Sequence, residues 1–313
     1  MRIAVVGAGG TGGYFGGLLA RAGRDVTFIA RGRTLDALRA NGLAVQSRVE
    51  GSFTVKVAAT DDPASVGPVD LILFCVKAYD TYDAAMAIRP LVGEGTAIVS
   101  VQNGVDNEER IAEAVGETAV LGAIAGLSAR VEAPGVIAVT QEPGGITLGE
   151  LSGGESARAA VAARALEGAG FRVTLDANMP GLIWHKFVFI CAMSGVSSVA
   201  RQPIGAILSY PETTALYRGV MEETAAVAHA LGVPLPADSV ETWMQRSAQL
   251  NPEMYGSMYF DLERGTPLEV GSLNGAVVRL GGEPGIPAPL NLAIHGALRP
   301  YEDGARTPPS VPA

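Results

Sequence analysis

An apolar strand that runs straight into a cluster of glycines constrains this chain more than any other feature. Gly7, Gly9 and Gly12 set the spacing G-x-G-x-x-G, directly after the apolar run Ile3 to Val6 and directly before a helical pattern. The spacing alone marks only a glycine-rich turn; a strand before it and a helix after it are the context of a dinucleotide-binding loop. Gly7 permits the tight turn, Gly9 lets backbone approach a pyrophosphate, and Gly12 lets the helix pack close to the strand. The loop Gly7, Ala8, Gly9, Gly10, Thr11 and Gly12 then turns the amides of a helix N-terminus toward phosphate charge.

At 313 residues the chain is long enough for two domains with full cores. Hydrophobic residues make up 48% and charged residues 18%, which excludes a disordered chain. A net charge of -9 argues against a nucleic-acid surface and makes each positive charge worth locating. Only three lysines occur, Lys56, Lys77 and Lys186. Cys75 and Cys191 sit in apolar runs and read as buried small hydrophobes, and His185, His229 and His295 have no metal-ligand spacing. Met1 runs directly into the first strand, so no signal peptide is expected, and no apolar stretch is expected to span a membrane. The expected setting is soluble and cytoplasmic.

The first half alternates strands with helices. Strands are predicted at Arg2 to Val6, Asp25 to Ala30, Leu71 to Val76, Ala97 to Val101, Ala119 to Leu127, Val136 to Thr140, Ile146 to Leu148 and Arg172 to Leu175, all in one sheet. Leu43 to Ser47 and Phe53 to Val57 form a hairpin around Glu50-Gly51. Helices are predicted near Gly12 to Ala22, Leu35 to Asn41, Tyr79 to Leu91, from Asn107, and at Glu155 to Ala169; Gly12, Gly13, Gly16 and Gly17 make the first one smooth against the sheet. From Met179 strands vanish and helices take over, at Leu182 to Val199, Thr213 to Leu231, Ala237 to Leu250 and Gly271 to Leu280. The fold class is therefore α/β: a Rossmann-type, doubly wound N-terminal domain (1–177) followed by an all-α C-terminal domain (178–313). The Pro-rich tail 302–313 is expected to be mobile. The long apolar helices of the second half could support a homodimer.

An NAD site usually carries an acid at the end of the second strand, where it bonds the ribose hydroxyls. Here that strand ends Ala30-Arg31-Gly32-Arg33, with no acid. Arg31 and Arg33 can be ordinary surface arginines, but their position suits a 2′-phosphate, so NADPH is preferred over NADH. Lys77 closes a buried strand at the end where open sheets bind ligands, and is either a cofactor contact or a solvated loop residue. Asn103, in Gln102-Asn103-Gly104, is either a turn residue or an amide that orients cofactor or substrate.

Hydride transfer to a ketone needs a proton for the developing alkoxide. Lys186 is the only lysine of the helical half and lies in an apolar helix start, where burial would lower its pKa toward acid chemistry. It could instead snorkel from a helix end. His185 is the rival acid, although neighbours on a helix point about 100 degrees apart. Glu269 stands in an apolar stretch at the predicted start of a helix, where it could serve the helix dipole, bind a substrate hydroxyl or hold Lys186 by charge.

Taken in order, these pieces resemble the ketopantoate reductase (2-dehydropantoate 2-reductase) family. The resemblance is carried by Gly7 to Gly12, Cys75-Val76-Lys77-Ala78 with Asp80, Gln102-Asn103-Gly104, Trp184 with Lys186, and Ser257-Met258 through Asp261 to Glu269. Leu273-Asn274-Gly275 and Pro284-Gly285-Ile286-Pro287 with Pro289 and Asn291 extend it over nearly the whole chain. It implies that NADPH delivers hydride to C2 of a 2-oxo acid and that Lys186 is the general acid. It also implies that Glu269 contacts the reacting oxygen, that Ser257 helps hold the carboxylate, and that Asn103 and Lys77 line the cofactor and substrate cleft.

Members of that family carry asparagines where this chain has Ile190, Ser194, Ile204 and Met254, and an aspartate where it has Gly271. A site stripped of polar partners favours apolar bulk. The expected reaction is therefore reduction of 2-dehydropantoate to (R)-pantoate, or of a less polar 2-oxo acid. A hydroxy-acid dehydrogenase working oxidatively and a non-catalytic NADP-binding sensor are the competing readings.

Overall fold

A computed structural model describes residues 1–47, 51–139 and 145–304 of the chain. The chain divides into two compact units, one of Met1–Gln102 with Asp106–Met179 and the other of Asn103–Val105 with Pro180–Ala313.

The strands of the first unit are β1 (Arg2–Val6), β2 (Asp25–Ile29), β3 (Leu43–Ser47), β4 (Phe53–Val55), β5 (Ala58–Thr60), β6 (Leu71–Phe74), β7 (Ala97–Ser100), β8 (Val120–Gly126), β9 (Ala129–Ala133), β10 (Val136–Val139), β11 (Gly145–Gly149) and β12 (Val173–Leu175). Its helices are α1 (Gly10–Arg21), α2 (Gly32–Asn41), α3 (Thr81–Ala87), α4 (Asn107–Val115) and α5 (Ala157–Leu166). The main sheet has eight strands in the order β12-β11-β8-β7-β6-β1-β2-β5. From β5 to β8 every pairing is parallel, and β11 joins β8 antiparallel. The chain leaves β1 toward β2 and later returns on its other side with β6, which is the reversal that opens a ligand crevice at the carboxyl ends of a doubly wound sheet.

Two expectations change here. The segment predicted as a strand, Phe53 to Val57, is strand only over Phe53–Val55 (β4), which pairs antiparallel with β3; an unpredicted strand, β5, follows it and extends the main sheet beside β2. Val136 to Val139 does not join the main sheet either, but a second, four-stranded one in the order β4-β3-β10-β9. The hairpin pairing of β3 with β4 is as expected; Glu50 of its turn and Thr140 lie outside the described residues. The glycines of α1 explain the second sheet physically. A side chain at Gly16 would meet Phe28 and Val5 of the main sheet, and one at Gly13 or Gly17 would meet Ile137 or Leu43 of the small one. The helix is smooth on two sides because it is held between two sheets.

The second unit is helical: α6 (Met179–Ala200), α7 (Ile204–Ile207), α8 (Pro211–Ala230), α9 (Ser239–Ser247), α10 (Ser257–Arg264), α11 (Asn274–Gly282) and α12 (Pro289–Leu298). Helix α6 is its spine, with Phe187, Val188, Cys191, Ala192, Met193 and Val196 in the core. The expectation that no apolar stretch reaches membrane-spanning length is not met, since α6 has 22 residues and a mean hydropathy of 1.5. However, 72% of that stretch is buried inside the protein, as expected of a core helix. A buried polar chain ties the later helices to it. Asn274 Nδ2 donates to the Cys191 carbonyl at 3.2 Å and to Asn291 Oδ1 at 2.9 Å. Glu223 accepts from the Leu290 and Asn291 amides at 2.8 and 2.9 Å, capping α12 with a carboxylate from α8. Glu302 to Gly304 were expected in a mobile tail but are docked: the Glu302 carbonyl accepts from the Leu268 amide at 2.9 Å. Residues 305–313 lie outside the described residues.

Candidate active site

In the first unit the glycine loop meets the end of β6. Gly7 has φ +95°, and a Cβ there would lie 2.9 Å from the Cys75 carbonyl and the Val76 nitrogen, so only glycine allows this crossing. A Cβ at Gly12 would strike the Gly7 carbonyl oxygen and stand 3.0 Å from Cys75 Cβ. At Gly9, by contrast, a Cβ would meet nothing within 4 Å. Helix α1 starts there with no side-chain cap and no acid in its first turn. Gly9 therefore borders open space at a positively polarised helix end, which fits a dinucleotide pyrophosphate. Ala8, Gly10 and Thr11 of the loop are partly exposed. Arg31 and Arg33 are exposed just past β2, and Arg31 is the N-cap residue of α2.

Lys77 caps a 3-10 turn, Ala78–Asp80, at the carboxyl end of β6 and is partly buried. Beside it runs a polar chain centred on Gln102, which the sequence marked only as part of a turn. Gln102 Nε2 donates to the Val76 carbonyl at 2.9 Å and to Thr81 Oγ1 at 2.8 Å. Thr81 Oγ1 in turn donates to Asn107 Oδ1 at 3.1 Å. The chain fixes the ends of β6 and β7 to α3 and α4. Glu108, also missed, is buried at the start of α4, and burial pushes its carboxyl up to about 7 against hydrogen bonds from its own amide and the Ser100 hydroxyl. One acid in an otherwise ordinary helix start carries no sequence signal for this. Cys75 is partly exposed rather than fully buried as a residue, yet burial of its thiol pushes the pKa up to about 12.

In the second unit Lys186 stands in the second turn of α6. Burial draws its ammonium down from the ordinary 10.5 to about 8, and the Glu269 carboxylate acts in the opposite direction. The two residues are thus brought together, and Glu269 is only 6% exposed. Glu269 is not at a helix start as expected, because α11 begins only at Asn274. Its carbonyl accepts from the Ser272 and Leu273 amides at 3.1 and 2.9 Å, so it opens a turn and serves no helix dipole.

The rival acid, His185, is committed elsewhere. Its Nδ1 lies 3.0 Å from Ser239 Oγ, and its ring stacks on Trp243 with centroids 5.0 Å apart. Burial lowers its pKa, which favours the neutral ring. Trp243 Nε1 also donates to the His185 carbonyl at 2.6 Å, pinning the turn of α6 that carries Lys186.

Lys186, Ile190 and Ser194 repeat every four residues and so share one face of α6. Ile190 is partly exposed, whereas Ser194 is 1% exposed and its hydroxyl has no hydrogen-bond partner. Gly256 seals it, since a Cβ there would lie 2.5 Å from Ser194 Cα. Ser257 follows as the exposed first residue of α10, a helix the sequence reading did not anticipate. Ile204 is buried, its amide bonded to the Met254 carbonyl at 2.8 Å, which makes it a core residue rather than a pocket one. Asn103 is partly buried and belongs with the second unit despite following a strand of the first. Among the described residues no group of three or more His, Cys, Asp or Glu could hold a metal ion.

The family model described as ketopantoate reductase PanE/ApbA matches residues 3–153, and its C-terminal counterpart matches residues 178–302. A 2-dehydropantoate 2-reductase from Archaeoglobus fulgidus is 32% identical over 303 residues, covering 97% of this chain and 98% of the relative. The crystal structure of a PanE/ApbA family ketopantoate reductase from Ralstonia eutropha JMP134 superposes with a TM-score of 0.88 at 34% identity, covering 97% of this chain and 99% of that one. D-mandelate dehydrogenase, solved with NADH and anilino(oxo)acetate, shares the fold with a TM-score of 0.87 at 23% identity, covering 97% of this chain and 98% of that one. With both halves matched in order, the chain belongs to the ketopantoate reductase family and is an oxidoreductase.

Proposed function

We propose that the protein reduces a 2-oxo acid to a 2-hydroxy acid with NADPH, the substrate being 2-dehydropantoate or a less polar analogue. The observation that carries this reading is Lys186, an ammonium drawn to about 8 by burial and opposed by a neighbouring carboxylate. A group with that pKa is a competent proton donor near neutrality. When bound, NADPH supplies the hydride that adds to C2. Lys186 Nζ gives its proton to the carbonyl oxygen as the charge develops there and regains one from water afterwards. Glu269 keeps the amine protonated between turnovers. Ser257, with the uncapped amides at the start of α10, suits the substrate carboxylate.

The preference for NADPH rests on Arg31 and Arg33 and on the lack of an acid at the end of β2. The preference for a less polar substrate rests on Ile190 and Met254, which both pack against the apolar core of the second unit. Tyr255 and Tyr259, stacked at 4.1 Å, add aromatic surface next to Ser257. Lys77 and Asn103 are assigned to cofactor and substrate. Ser194 is not assigned a direct contact, because its hydroxyl is sealed.

Steady-state rates with NADPH on 2-dehydropantoate and on aliphatic and aromatic 2-oxo acids test the substrate. Higher kcat/KM on the apolar acids is expected, and a strong preference for 2-dehydropantoate overturns that part. Lys186→Ala is expected to lower kcat by about 100-fold or more while leaving NADPH affinity intact. Unchanged turnover in that variant removes Lys186 as the acid; absence of turnover in the parent on every acid favours the sensor.

A further inference from the structure

Glu269 lies in a stretch without regular structure, between the end of α10 at Arg264 and the start of α11 at Asn274. The turn at the Glu269 carbonyl fixes its backbone on the C-terminal side. Two contacts from the far end of the chain act on it. The Leu268 amide, one residue before Glu269, donates to the Glu302 carbonyl at 2.9 Å. The Glu302 carboxylate lies over Gly271, two residues after Glu269, so closely that a Cβ at 271 would collide with Oε1. The same carboxylate pairs with Arg299, and the Glu302 side chain is 19% exposed against 64% for Arg299. Gly304 completes the contact, since a Cβ there would stand 2.9 Å from the Gly265 carbonyl oxygen.

We propose that Glu302 is a positioning residue: its carboxylate and its carbonyl clasp the stretch 268–271 and thereby set where the Glu269 carboxylate stands relative to Lys186. The inference rests on the assignment of Lys186 and Glu269 to the reaction. It also gives position 271 a reason to be glycine, because that space belongs to the Glu302 carboxylate. Glu302 touches neither substrate nor cofactor in this account. It acts through Glu269, which is the charged neighbour that opposes burial at Lys186.

The test compares the full chain with E302A, E302Q, G271A and the double variant E302A/G271A. The first readout is the pH at which Lys186 reacts half-maximally with an amine-acylating reagent, measured on its own peptide by mass spectrometry. Only two other lysines, Lys56 and Lys77, compete. The second is NADPH oxidation with 2-dehydropantoate, and the controls are melting temperature and NADPH affinity.

In E302A and in G271A the Glu269 carboxylate relaxes away from the amine, so the labelling midpoint is expected to fall by about half a pH unit. Turnover in the same variants falls about tenfold. E302Q keeps the shape of the side chain and stays near the parent. The double variant recovers toward the parent, because the methyl at 271 fills the space the carboxylate left; its effect is far from the sum of the two.

An unchanged labelling midpoint in both single variants, or strictly additive effects, overturns the proposal. So does a fall in melting temperature and NADPH affinity that accompanies the loss of turnover, which would make Glu302 merely structural. Labelling needs no substrate, so the two failures separate. Persistent turnover in Lys186→Ala removes the assigned chemistry, whereas an unmoved midpoint removes the clasp alone.

Discussion

At the scale of single residues, Lys186 governs the pH behaviour. Burial lowers its pKa to about 8, so the proton-carrying form dominates below that value and disappears above it. Reduction consumes that proton. The expected profile of kcat/KM is therefore flat below about pH 8 and falls about tenfold per unit above it. The reverse reaction needs the free amine, and its rate rises through the same region. A forward profile that stays flat to pH 10 would falsify the assignment of the acid. Lys186 was legible in the sequence because lysine is rare here and an apolar helix start is an unusual place for one. The acidic partner was legible as a carboxylate in apolar surroundings, but its setting was not: Gly271 to Leu273 read as helix, and only the turn at the Glu269 carbonyl shows otherwise. Glu302 left no trace, since a glutamate in a Pro-rich terminal stretch looks the same docked or free.

At the scale of elements, the loop between β1 and α1 separates two uses of glycine. Gly12→Ala forces a methyl into the Gly7 carbonyl, and such overpacking costs about 1–3 kcal/mol of stability. Gly9→Ala meets nothing within 4 Å, so its melting temperature is expected to match the parent. Its NADPH affinity should nevertheless drop, because the methyl takes space that the proposed pyrophosphate needs. Thermal melts and cofactor titrations of both variants decide this; equal affinity in Gly9→Ala would place the dinucleotide elsewhere. Strands β1, β6 and β7 were legible because they are short, almost wholly apolar and buried runs, whereas β5, Ala-Ala-Thr beside β2, was not. Strand β9, Ala-Arg-Val-Glu-Ala, was not: its residues are partly or wholly exposed, and its pairing with β10 is non-local information. Helices α10 and α12 were missed for a related reason. Each is short, and a helix of eight to ten residues leaves too few turns for a readable pattern.

At the scale of the whole molecule, the change from alternating elements to successive helices was visible because it spans more than a hundred residues and does not depend on any one boundary. The exception is Asn103–Val105, which follows a strand of the first unit yet keeps company with the second. No local signal marks that exchange. Helix α6 shows the same limit from the other side, since its length and hydropathy match a membrane span while most of it is interior. A helix that is apolar all round is either buried in protein or in lipid, and here protein covers it. In detergent phase separation the intact chain is expected in the aqueous phase; recovery in the detergent phase would show that α6 is not held in the core.

The carboxylate resting over Gly271 also bears on history. Because one space serves both positions, the effect of a substitution at 271 depends on what already stands at 302. A side chain gained at 271 must displace the end of the glutamate side chain, so its effect is expected to be smaller where 302 is already small. The two sites, remote in sequence, are thus expected to vary together rather than independently among relatives.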